Sequence, residues 1–224
     1  MRFVGLIVAI PFFCAPALTA SPCASDLLSN YILLSSTGCQ VGPLTVKDFS
    51  FNLIATTVVI NASDITVTPV FALNRFGLDF SSNSFAVSGS NFAHYLLAYT
   101  WDPGDIRSLE DVLGDPVTAP GLGKITTDIC EDAAFVGAFC PTTAATTSVF
   151  DDGIAPVPFS SVAFSPFIGV AGIRDTIQLD GNKHGSVKLF DFTNRLVLAP
   201  EPATFAAGLL GLALCAGSLR LKRR

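Results

Sequence analysis

The sequence predicts an all-β protein, a β-sandwich of jelly-roll-like form lying between two apolar ends. Three observations lead there. Short runs alternate apolar and polar side chains, which is the period of a half-buried strand. Turn-forming Gly, Pro, Asn and Asp separate these runs, and no strand–helix–strand alternation appears. Aromatic usage is lopsided, with 19 Phe against 3 Tyr and 1 Trp. Phe fills a core without needing a polar partner. No repeat of fixed period is present.

The N-terminus, "MRFVGLIVAIPFFCAPALTA", has one basic residue, an apolar stretch and then small residues. That is the secretory signal pattern, assigned to residues 1–20 with cleavage after Ala20. Leu18 departs from the small-residue rule at the cleavage site. Pro22 before Cys23 and Phe13 before Cys14 argue against a lipoprotein site. Residues 21–198 are then the ectodomain, long enough for one domain with a sizeable core. Cys14 and Cys215 fall in the apolar ends, which leaves Cys23, Cys39, Cys130 and Cys140. An even count in an exported domain points to disulfides. Of the three pairings, the local one, Cys23–Cys39 with Cys130–Cys140, closes the shortest loops. No CxxC pair suggests zinc.

In chain order, strands are expected at 44–53, 56–60, 64–73, 84–89 and 93–101, then at 123–130, 146–150, 166–173, 175–180 and 186–198. Pro69 marks its run as an edge strand or a bulge. "WDPGD" at 101–105 and "LDGNKHGS" at 179–186 read as hairpin turns. "DIRSLEDVLG" at 105–114 reads as one short helix, capped by Asp105, with Glu110 and Asp111 facing water and Gly114 ending it. The competing reading of that stretch is a linker between two sheets.

The ectodomain is acidic, with 17 Asp and Glu against 8 Lys and Arg from Ser21 to Ala199. That excludes a nucleic-acid footprint, which needs clustered basic residues. An enzyme needs a constellation, and little is available. His94 sits on a strand and His184 in a Gly-rich turn. No GxSxG motif is present. Glu110–Asp111 and Glu131–Asp132 are adjacent pairs, and neighbours on a strand point apart, which disfavours a glycoside hydrolase. Asp151–Asp152–Gly153 and Asp180–Gly181–Asn182 are oxygen-rich but lack EF-hand spacing. No catalytic residue, cofactor or metal is expected. Tyr95, Leu97, Tyr99 and Trp101 share one strand face. Tyr95, Tyr99 and Trp101 are therefore a candidate sugar-stacking platform, although large aromatics more often face a core.

Residues 203–219 carry no charge. As a helix they would cover roughly 25 Å, close to a bilayer's hydrocarbon thickness. Arg220, Lys222, Arg223 and Arg224 would hold the end in the cytoplasm. Pro200, Glu201 and Pro202 precede this transmembrane run. Proline on both sides of Glu201 disfavours helix there and keeps the backbone open to a protease.

Signal peptide, exported body, Pro200-Glu201-Pro202, apolar span and basic end together resemble a PEP-CTERM sorting-domain protein. The motif itself occupies residues 199–224. The body resembles one group of these proteins in "IRDTIQLDGNKHGSVKLFDFTNRLVLAPEP" and in "CASDLLSNYILLSSTGCQVG". The resemblance implies an exosortase, a membrane-embedded transpeptidase-like protease, as partner, and a biofilm- or exopolysaccharide-forming Gram-negative source. The expectation is an exported precursor, anchored by one span and cleaved near Pro200–Pro202. Its mature form, at the cell surface or in the extracellular matrix, would have a non-catalytic structural or adhesive role. A carbohydrate-binding module, with exopolysaccharide as partner, is the alternative.

Overall fold

A computed structural model describes residues 20–114, 116–137 and 139–199, without the side chains of 117–119. The signal peptide, Pro200, Glu201, Pro202, the expected span 203–219 and the basic residues from Arg220 to Arg224 lie outside these residues. Among the described residues no helix is long and apolar enough to cross a membrane.

Two six-stranded sheets are stacked, and every strand pairing within them is antiparallel. The first runs β2 (Cys39–Val41), β3 (Leu44–Thr56), β7 (Phe92–Asp102), β13 (Ala171–Asp180), β10 (Leu122–Glu131) and β11 (Ala144–Asp151) from edge to edge. The second runs β1 (Asp26–Leu27), β4 (Thr66–Ala72), β5 (Arg75–Ser81), β15 (Asp191–Leu198), β8 (Ile106–Leu113) and β12 (Phe159–Ile168). A small sheet of β6 (Ala86–Ser88), β14 (Ser186–Lys188) and β9 (Val117–Ala119) lies beside them. The α-helix α1 (Leu28–Leu33) buries Leu28 and Tyr31. Among the described residues, only the β2–β3, β4–β5 and β10–β11 connections stay within a large sheet; elsewhere the chain crosses between the two, directly or by way of the small sheet.

Alternation explains the core. Along β7 the odd residues Ala93, Tyr95, Leu97, Tyr99 and Trp101 point between the sheets, as do Ile173, Ile177 and Leu179 of β13. Burial of such faces is the main stabilising term, at roughly 25 cal/mol per Å² of apolar surface. Both local disulfides are formed, Cys23–Cys39 and Cys130–Cys140. They fit the oxidising compartment that an exported domain meets. Pro69 sits where β4 has no outer partner, because β1 reaches only Thr66 and Val67. Edge placement is how a sheet tolerates proline.

Several expectations fail, each for a tertiary reason. Residues 105–114 are not a helix. They contain β8, paired on both sides by β15 and β12, and Asp111 points into the core rather than to water. The 101–105 turn is not a hairpin, since it carries the chain from β7 in the first sheet to β8 in the second. The 179–186 turn likewise delivers β13 to β14 in the small sheet. Residues past Thr56 leave the sheet, although Ile60 stays buried and donates its N–H to Tyr95 Oη at 2.7 Å. The run expected at 166–173 spans the end of β12, a turn and the start of β13, and 186–198 divides into β14 and β15.

Candidate functional site

The aromatic platform is overturned first. Tyr95, Tyr99 and Trp101 are 3%, 2% and 0% exposed. Tyr95 stacks on Phe51 at 4.9 Å between centroids, Tyr99 stacks on Phe49 at 5.2 Å, and Trp101 meets Tyr99 edge-on at 6.3 Å. Two-residue alternation correctly places these rings on one face. That face is the core, so they offer nothing for a sugar to stack on.

Beside them lies a polar belt that the sequence reading did not anticipate. Thr147, Thr127 and Asp175 stand side by side on β11, β10 and β13. Ser160, Asp111 and Asn194 stand side by side on β12, β8 and β15. The two rows meet across the sandwich. Asn194 Nδ2 donates to Asp175 Oδ1 at 2.8 Å, and Thr147 Oγ1 donates to Ser160 Oγ at 2.6 Å. Thr127 Oγ1 also donates to Asp175 Oδ1, at 2.7 Å. The remaining Asp175 oxygen, both Asp111 oxygens, Asn194 Oδ1, Tyr99 Oη and Trp101 Nε1 are buried without a hydrogen-bond partner.

Charge is expensive here. Burial raises the Asp111 carboxyl to about 8, helped by the Asp175 charge. Burial likewise raises Asp175 to about 7, against its hydrogen bonds from Thr127 and Asn194. Burial and the same two acids push the Tyr99 phenol well above its usual range. The signal for this belt was present in the sequence. Asp175 interrupts the apolar face Ile173–Ile177–Leu179, and an acid in that position must lie in the core. Asp111 was hidden by the helix reading.

The outward face of the first sheet also holds an open groove. It measures about 390 Å³ and is lined by Asp48, Ser50 and Asn52 of β3, Leu96, Ala98 and Thr100 of β7, and Phe135. Phe135 belongs to the loop between β10 and β11, which the Cys130–Cys140 disulfide ties down. The loop lies on Gly172, whose N–H donates to Ala133 O at 3.0 Å. A Cβ on Gly172 would stand 2.6 Å from that oxygen, so only glycine permits this approach. Arg174 holds the loop from below, its guanidinium 4.5 Å from the Phe135 ring centre and 2.8 Å from Asp128.

The remaining candidates stay apart. His94 is half-buried on the outward face of β7, and His184 is exposed in a turn. Glu110 is paired with Arg75, while neighbouring Asp111 points the other way into the core. The oxygen-rich turns are satisfied by their own backbone. Asp151 accepts from Gly153 N, Asp152 from Ile154 N and Ala155 N, and Asp180 from Asn182 N. Those N–H groups, Ala155 first, hold the Asp152 carboxyl below its usual range. Among the described residues no three metal-ligating side chains converge.

No family model and no curated protein matches the chain. Among solved structures, it is similar to TmCBM61 in complex with β-1,4-galactotriose, at 9% identity and a TM-score of 0.31, over 69% of this chain and 89% of that one. It is also similar to the enzymatically active domain of bacteriophage CBA120 tailspike protein 4, at 11% identity and a TM-score of 0.30, over 65% of this chain and 19% of that one. Likenesses of this size carry no functional argument.

Proposed function

We propose that the chain is an exported precursor that an exosortase cleaves near Pro200–Pro202, and that its sandwich serves the cell surface or matrix as a non-catalytic structural or adhesive unit. The scaffold reads as a jelly roll. Counting β5, β7, β8, β10, β11, β12, β13 and β15 as one to eight, the sheets order as 1-8-3-6 and 2-7-4-5, as two nested Greek keys would. The observation that carries the sorting reading is how far the sandwich runs toward the triplet. β15 is an inner strand, and Ala199 donates its N–H to Asp105 O at 2.8 Å. The Pro-Glu-Pro triplet begins at the next residue, so a folded body would present it without a linker. Replacing Pro200, Glu201 and Pro202 by alanine in the native host is expected to leave full-length protein in the membrane fraction. Equal release of this variant and the native chain would remove the reading.

The groove under Phe135 favours a second reading, saccharide binding on the outward face of the first sheet rather than on the buried aromatics. It combines hydroxyl, amide and carboxylate groups with one ring, the mixture that fixes a polar ligand. Asn52→Ala and Phe135→Ala are each expected to weaken binding to polysaccharide prepared from the host matrix by about 1–3 kcal/mol, with little change in Tm. Undiminished binding in both variants would place the ligand elsewhere.

A further inference from the structure

The turn joining β4 to β5 is built against its own local chemistry. Ala72 pairs with Arg75, so Leu73 and Asn74 form a two-residue turn. Leu73 takes a left-handed backbone, φ 52°, at the first turn position. Glycine is the usual residue there, because a Cβ is strained in that conformation. The side chain gains nothing from the fold in return: Leu73 is 97% exposed, and Phe71 beside it is 62% exposed. A strained, fully exposed leucine at a turn tip is a local conflict of the kind found at functional sites.

Its position supplies the partner. Leu198 N–H donates to Asn74 O at 3.0 Å, and Asn74 Nδ2 donates to Leu198 O at 3.2 Å. The tip therefore stands beside Leu198, one residue before Ala199, the last described residue. From Ala199 to Ala203, where the charge-free run begins, an extended chain reaches at most ~14 Å. We infer that the Phe71–Leu73 tip inserts into the outer membrane–water interface of the anchored precursor, as a second contact beside the span. This rests on reading residues 203–219 as that span. A leucine and a phenylalanine suit this depth, since both bury apolar surface in lipid without leaving a polar atom unpaired. A second contact restricts how the domain tilts, and so holds Pro200–Pro202 at a fixed height for a membrane-embedded protease. Cleavage severs the span, and a shallow tip alone is too weak to retain the protein.

The test uses the full chain reconstituted in phosphatidylcholine vesicles, with or without bromine on the acyl chains. Leu73→Trp adds a reporter at the tip. Ile154→Trp adds one in the β11–β12 connection, about 25 Å further along the sandwich. Ile154 is 85% exposed, so neither change disturbs the core. Insertion of the span is read separately, from protection of the Arg220–Arg224 end against trypsin in sealed vesicles. The expected result is a protected end, with brominated lipid quenching the added Leu73→Trp emission at least twofold and leaving the Ile154→Trp emission unchanged. A protected end with no quenching at either position overturns the tip contact and leaves the span reading intact. Quenching at both positions overturns it as well, since it would mean adsorption without orientation. An unprotected end overturns the span reading and the tip contact together.

Discussion

Trp101→Ala is expected to lower the melting temperature of the isolated ectodomain by about 10 °C or more. The indole is fully buried against Tyr99 between the two sheets. Removing such a ring costs about 3–5 kcal/mol, because transferred surface is lost and the cavity only partly collapses. Domains of this size lose about 2–4 °C per kcal/mol. A platform residue would behave in the opposite way, losing ligand and keeping Tm. Phe71→Ala is the control on an exposed ring, and it should leave Tm within about 2 °C, as surface changes do. A thermal melt of both variants, followed by circular dichroism, decides. An unchanged Tm for Trp101→Ala would restore the aromatic platform.

The second large effect is a fall in stability as pH rises. Asp111 and Asp175 have folded-state values of about 8 and about 7, both above the ordinary carboxyl value near 3.9 of an unfolded chain. Between those limits the folded state binds more protons than the unfolded one, so stability falls with rising pH. The loss begins near pH 3 and is complete only near pH 9, below and above the values involved. Two groups shifted this far amount to several kcal/mol as an order of magnitude, and their mutual repulsion makes the contributions non-additive. Asp111→Asn keeps the shape of the protonated acid and removes its charge. Urea unfolding should therefore show the native domain more stable at pH 5 than at pH 8, with the variant more stable than the native domain at pH 8 and a flatter profile. A native domain that strengthens from pH 5 to pH 8 would contradict this account of the belt.

The belt also shows what local pattern can carry. Period-two alternation identified β7 and β10 because both of their faces are regular. It could not say which face of β7 met the second sheet, since that depends on pairing with β13 and β3, far away in the chain. At β8 a buried Asp111 among Ile106, Leu109 and Leu113 broke the alternation, and the spacing that remained fits a helical turn. β5 was missed because Gly77 interrupts it. A Cβ there would meet Asn194 O of β15 at 2.2 Å, so the residue that hides the strand is the one that lets it pair. β12 was obscured because much of it is exposed, with Phe159 and Phe167 both half in solvent. The disulfides were readable because short loops favour local closure. The groove under Phe135 was not readable, because it joins β3, β7 and a loop more than thirty residues further on, which no local pattern links.

The central claim is that the tail is a processing signal on an exported domain. The most direct measurement is the intact mass of the protein recovered from its native host, before and after reduction. The account predicts loss of the first ~20 residues, as a secretory signal requires, and loss of everything beyond the Pro200–Pro202 region. It also predicts a gain of about 4 Da on reduction, two hydrogens for each of two disulfides. A mature protein that retains residues 203–224 would contradict it.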